Sequence, residues 1–239
     1  MYYSAQHPNI DKWTVREYQG TTPASNEILW QSMGSSPVGD VTVERYLLRH
    51  SRYLEMPLLW IHRRDQQHRP VVLWIGENGK ASAQDWPHIE KQIADGYDVI
   101  SFDRRGLGET RMPFKAVSPD DPALAKLSFD EAYVSPLSGV LADYTYNSIL
   151  TGRPYFLQSI EDVEIASSFA RTKLAPTSPL SVTGDGIGGT VATAAAEVLP
   201  GLKLIPPSSE QPPKWSDIVE QKRELWPIQL LLPGGAYVH

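Results

Sequence analysis

The sequence holds no cysteine in its 239 residues. That excludes a disulfide framework, thiolate catalysis and cysteine-held metal, and it leaves every redox compartment open. No apolar run approaches the roughly 18 residues that a membrane span requires. Met1-Tyr2-Tyr3-Ser4 opens no charged-then-apolar leader, so neither a signal peptide nor a membrane partner is expected, and a soluble protein of undetermined compartment follows. Positive charge is also scarce, with a net charge of -6 and a pI near 5.5. Arg63-Arg64 and Arg104-Arg105 are isolated pairs, not a stripe able to neutralise several phosphates, which argues against a nucleic-acid partner. Among the histidines, His62 and His68 flank a turn, His50 and His88 stand alone, and no His-x-x-x-His or carboxylate cluster has ligand spacing. Neither a metal nor a cofactor is expected.

What the chain does have is 41% hydrophobic residues and 10% aromatics, enough for one sizeable core. Residues 1–40 read as an extension packed onto that core, and residues 41–239 as the main domain. Within the extension, Thr22-Pro23 followed by Glu27, Ile28, Leu29, Trp30 and Met33 predicts a capped helix that Gly34 stops. Three strands follow: the alternating Val41 to Leu48, then Leu58 to Ile61, then the continuous apolar run Val71 to Ile75, which reads as buried on both faces. A helix near 83–95 and a strand ending at Phe102 complete a parallel crossover. Residues 111–157, rich in proline and aromatics, read as an insert forming a cap or surface layer, with its aromatics making a small core of their own or, as the alternative, lining a binding cleft. Ile160, Val163, Ala166, Phe169 and Ala170 recur at helical spacing. After them come a strand near Leu180, an alanine-rich helix, a strand at Leu202 to Ile205, and a final section with a helix near 216–225.

Two motifs carry chemistry. Asp103-Arg104-Arg105-Gly106-Leu107-Gly108-Glu109-Thr110 follows the second crossover strand as a glycine-rich loop at the carboxyl edge of a parallel sheet. Leu180 to Gly184, Asp185-Gly186-Ile187-Gly188-Gly189 and the alanine-rich run behind them read as strand, tight turn and closely packed helix. This is the outline of a nucleophile elbow. The pattern Gly-x-Ser-x-Gly lays Gly184 and Gly188 on its two glycines and puts Gly186 where the serine should stand. The same stretch satisfies Gly-x-Gly-x-x-Gly through Gly184, Gly186 and Gly189, so a dinucleotide-binding domain is an alternative, although Pro206-Pro207 after the next strand leaves no acid to hold a ribose. Ser181 and Thr183 lie within the strand and are read as packed or hydrogen-bonded.

The strand order, the Asp103 to Thr110 loop, the Leu150 to Tyr155 segment before a helix and the Gly184 to Gly189 elbow resemble the acetyl-xylan-esterase-like branch of the α/β-hydrolases, over roughly residues 41–237. The resemblance implies an α/β fold, a three-layer sandwich around a mostly parallel sheet. It also implies a carboxylic-ester hydrolase lineage acting on acetylated sugars or similar small esters. In that family a serine attacks, and an acid and a histidine follow it in chain order. Here Gly186 offers no side chain to acylate. The downstream acid and histidine in the right order are Asp217, which is placed to cap a helix, and His239. The strands that would carry them are expected to be missing. Backbone N–H groups near Glu77 or Asn78 and at Ile187 are candidates for an oxyanion hole.

The chain is therefore similar to the degenerate second half of a two-half hydrolase: a non-catalytic scaffold, or a domain binding a small ester, an acetylated carbohydrate or an active hydrolase partner. An active carboxylesterase is the alternative, requiring a serine at 186 in a parent sequence or a non-standard nucleophile such as Asp185. A sheet with missing strands leaves an open edge, so a homo-oligomer or a partner chain along it is expected.

Overall fold

The computed structural model describes residues 28–50, 54–65, 68–80, 82–113, 127–135, 139–174, 179–207 and 227–230. The chain divides into two compact units, the larger drawn from 15–110 and 159–212 and the smaller from 111–158 and the chain's two ends.

The larger unit is built on a seven-stranded sheet. Its strands are β1 (Ile28–Val38), β2 (Val41–His50), β3 (Leu54–Arg63), β4 (Val71–Ile75), β5 (Asp98–Phe102), β6 (Leu180–Gly184) and β7 (Leu202–Leu204). They lie in the order β1-β2-β3-β5-β4-β6-β7. The first three are a meander of antiparallel pairs, with β3 also antiparallel to β5, whereas β5, β4, β6 and β7 are parallel neighbours. The parallel half has the pattern expected of strands covered on both faces: every residue of β4, β5 and β6 is buried. Helix α1 (Trp86–Ala94) connects β4 to β5. It packs Ile89 and Ile93 on Val72, Trp74 and Val99 of the sheet and on Val41 and Ile61 of the antiparallel half.

The region expected to be a helix between Pro23 and Gly34 is corrected where it is described. Ile28–Val38 is a strand, with Ile28–Ser32 paired to His50–Tyr46 and Ser35–Val38 paired to Glu44–Val41. Its Ser32 and Gly34-Ser35-Ser36-Pro37 are weak helix formers, and the ladder of backbone hydrogen bonds to β2 on either side of a bulge outweighs the local capping signal. Gly34, read as a helix stop, has φ +97° beside a β-bulge between Ser32 and Ser35.

In the smaller unit lie α2 (Phe129–Val134) and α3 (Val140–Leu150), with a 3-10 turn at Ile228–Leu230. A capping box starts α2: Ser128 N–H donates to Glu131 at 2.8 Å and Glu131 N–H donates to Ser128 Oγ at 3.2 Å. Three of the insert's tyrosines pack within this unit, and Tyr146 is exposed. Tyr133 is buried beneath the Arg111 guanidinium, 4.9 Å from its ring, and Tyr144 meets Tyr155 edge-on at 5.6 Å. In helix α4 (Tyr155–Lys173) the positions its periodicity picked out, Ile160, Val163, Ala166, Phe169 and Ala170, are buried. Helix α5 (Gly186–Val198) returns from β6, its Val191, Ala192 and Ala195 buried.

Candidate functional site

The parallel strands β4, β5 and β6 end side by side, and the residues after each carboxyl end form one cluster, the place where open α/β sheets bind ligands. From β4 come Gly76, Glu77, Asn78, Gly79 and Lys80; from β5 come Asp103 to Thr110; from β6 come Gly184, Asp185 and Gly186.

The elbow's glycines are required by contact. A Cβ on Gly184 would stand 2.5 Å from the carbonyl oxygen of Ile75, and one on Gly188 only 2.0 Å from the same atom. The turn is pressed against the end of β4, and only a residue without a side chain fits at either place. Gly186 is different. Its φ is +50°, the left-handed region that an elbow apex needs, and a Cβ there would meet the Glu77 carboxylate at 2.6 Å instead of backbone. Glu77 thus fills the space from which a nucleophile's side chain would rise.

Asp185 is the N-cap residue of α5, its Oδ1 accepting the Gly186 N–H at 3.0 Å. Ile187 sits buried in the first helical turn, where backbone N–H groups have no partner within the helix. Gly189 N–H donates to the Asp185 carbonyl at 3.1 Å. Asn78 is exposed in the turn beside Glu77. Glu77 has its carboxyl pushed up from the ordinary range, first by the loss of water where it lies on the elbow and next by the charge of Asp185; Arg104 opposes this, and Asp85 adds to it.

The Asp103 loop is a framework for this edge. Asp103 is 1% exposed and accepts from the Lys80 backbone N–H at 2.6 Å, Lys80 Nζ at 2.6 Å and Glu109 N–H at 3.0 Å. Lys80 Nζ also pairs with Glu109. Gly108, at φ +56°, leaves room for that carboxylate, since a Cβ there would lie 2.1 Å from Asp103 Oδ1; Gly106 also has positive φ. Arg104 is equally buried and donates through Nη2 to the carbonyls of Gly76 and Glu77, each at 3.2 Å, holding the turn after β4 in place. Arg105 reaches the other way. Its backbone N–H and Nε each donate to Asp162 of α4 at 2.9 Å, and its Nη2 donates to Glu161 at 2.8 Å.

The sequence motifs therefore meet at one edge, while Asp217 and His239 lie outside the described residues. Sequence reasoning named Glu77 only for its backbone N–H; its carboxylate on Gly186 was missed, as were Lys80, Arg105, Glu161 and Asp162. Only the acidic Gly76-Glu77-Asn78-Gly79 turn hinted at the first. Ser181 and Thr183 are buried within β6, as expected. His62 reaches Glu44 at 3.2 Å and His88 stacks on Trp74 at 5.3 Å. Among the described residues no group of three His, Cys, Asp or Glu could hold a metal ion, and no helix is long and apolar enough to cross a membrane.

No family model matches the chain, and no curated protein matches it. Solved structures do. An acetyl xylan esterase from Paenibacillus sp. R4 aligns over 92% of this chain and 65% of its own, with TM-score 0.58 and 16% identity. Acetyl xylan esterase 1 from Thermoanaerobacterium sp. JW/SL YS485 aligns over 91% of this chain and 62% of its own, with TM-score 0.54 and 14% identity. This chain spans less than two thirds of the length of either. The chain has an α/β-hydrolase fold, similar to that of these two esterases.

Proposed function

We propose that this chain is an esterase-lineage α/β-hydrolase domain that does not turn over esters through an acyl-enzyme, and that serves as a scaffold or binding domain for a small ester, an acetylated carbohydrate or an active hydrolase partner. One observation carries the reading: the elbow apex is Gly186, and the space above it holds the Glu77 carboxylate. Losing a triad serine costs about a millionfold in turnover, roughly 8 kcal/mol of barrier. Glu77 adds to the obstacle. A carboxylate at the elbow opposes the negative charge that an attacked carbonyl oxygen develops, the reverse of what an oxyanion hole supplies. A neutral carbonyl could still be held by the N–H of Ile187.

Asp185 is a poor substitute nucleophile, since its carboxylate already accepts from Gly186 N–H as a helix cap. A dinucleotide site is also disfavoured. In that fold the glycine turn follows the first strand of the parallel set, which here is β4, whereas these glycines follow β6 and serve to press the turn onto Ile75.

The test is the initial rate of aryl-acetate hydrolysis beside a heat-inactivated control. No rate above the control is expected, and none from the Gly186→Ser variant either, because the Glu77 carboxylate stands where the new side chain would rise and opposes the charge of an attacked carbonyl. Clear turnover by the unaltered chain would sink the reading.

A further inference from the structure

The sheet has two free edges among the described residues, and they differ. β7 offers three residues, one of them Lys203, which is the short and charged edge that proteins use to discourage pairing. β1 offers eleven residues, Ile-Leu-Trp-Gln-Ser-Met-Gly-Ser-Ser-Pro-Val, without a single charge. Leu29 is 68% exposed, Trp30 42%, Met33 54% and Val38 44%; Tyr146 and Leu150 are the other large apolar side chains so exposed among the described residues. A long, uncharged edge strand presents unpaired backbone N–H and C=O groups and the apolar surface to accompany them. The partner it fits is another strand.

The bulge between Ser32 and Ser35 interrupts the ladder, and Pro37 has no N–H to offer, so the regular stretch is Ile28–Ser32. We propose that two copies of this chain associate by pairing β1 with β1 antiparallel through Ile28–Ser32, continuing the sheet across a two-fold axis at Trp30. The occupant is argued from charge and from supply. The strand's own residues carry no charge to repel its copy, and a two-fold interface must be complementary to itself. The short β7 edge cannot supply an equal ladder. Trp30 is already supported on one side, lying edge-on to Tyr46 at 6.0 Å and to Phe169 at 6.1 Å, with Lys173 Nζ 5.0 Å from its ring centre. The pairing strand is thus anchored to α4.

In this register Leu29 of one copy faces Gln31 of the other, which permits a charge-swap experiment. The full chain is expected to sediment as a concentration-dependent dimer. The Leu29→Lys/Gln31→Lys variant and the Leu29→Glu/Gln31→Glu variant should each be monomeric with unchanged far-UV circular dichroism, and an equimolar mixture should dimerise again. Hydrogen exchange of the unaltered chain gives an independent reading: the amides of 28–32 should gain protection as concentration rises. A monomer at every concentration overturns the proposal, as does a dimer that survives either variant. Protection of 28–32 that is the same at all concentrations overturns it too, because the edge would then be covered by other residues of the same chain.

Discussion

Three glycines within five residues do two jobs at this elbow, and substitutions at Gly188 and Gly186 should separate them. Gly188→Ala drives a methyl into the Ile75 carbonyl, an atom of a buried strand that has nowhere to move. It should cost about 1–3 kcal/mol or more, read as a fall in the urea midpoint. Gly186→Ala should cost less, about 1–2 kcal/mol, because it pays for left-handed backbone but displaces only the flexible end of Glu77. Equal losses would mean that the backbone contact at Ile75 is not what selects glycine at 188. The elbow glycines were legible from spacing, since a strand-turn-helix crossing this tightly needs them. The Glu77 carboxylate at Gly186 was not, because the two residues are far apart in sequence and meet only when β4 and β6 pair.

Among the elements, the Asp103 loop and helix α4 form a unit through Arg105. Glu161 and Asp162 are both buried, so cutting Arg105 removes a cation that lies against both carboxylates. Arg105→Ala should destabilise by about 3–5 kcal/mol, and Asp162→Ala should cost much less when Arg105 is already gone. A double-mutant cycle with a coupling of about 0.5–3 kcal/mol is expected; additive losses would show that the loop stands without α4. The loop itself could be read in the sequence because its glycines recur around Asp103. Its two arginines could not be told apart there. The two side chains leave a turn, closed by Leu107 N–H on the Arg104 carbonyl, in different directions, and only the fold shows Arg104 turned to the end of β4 and Arg105 to α4. For β1 the sequence misled, because Thr22-Pro23 and Gly34 read as the start and stop of a helix, whereas the residues between them fit an edge strand once a neighbour supplies the hydrogen bonds.

For the molecule as a whole, Asp98 sets part of the pH response. It is buried at the start of β5, and its carboxyl is pushed from 3.8 to about 6, first by burial, against the attraction of His62 and Arg69 and with Asp65 adding to the rise. Between these values the folded protein holds a proton that the unfolded chain has released. Stability contributed by this group therefore falls as pH rises from about 4 to about 6 and is flat above. Asp98→Asn removes that loss and should stabilise the protein at neutral pH by roughly 3 kcal/mol at most, with no gain near pH 4. Urea unfolding of both proteins across this range checks it, and a gain that does not depend on pH would contradict the assignment.

The sequence by itself determined the parallel strands, the helices between them, the elbow and the absence of a serine from it, because each of these rests on local pattern: apolar runs, helical periodicity, and glycines at fixed spacing. Tertiary structure alone decided that β1 is a strand, that the sheet orders its strands β5-β4-β6 so that three turns meet at one edge, and that Glu77 lies on Gly186. The reason is physical. Hydrogen-bond ladders and close approaches between distant segments are absent from any window of the chain, and they outweigh local propensities of a few tenths of a kcal/mol per residue once the sheet assembles.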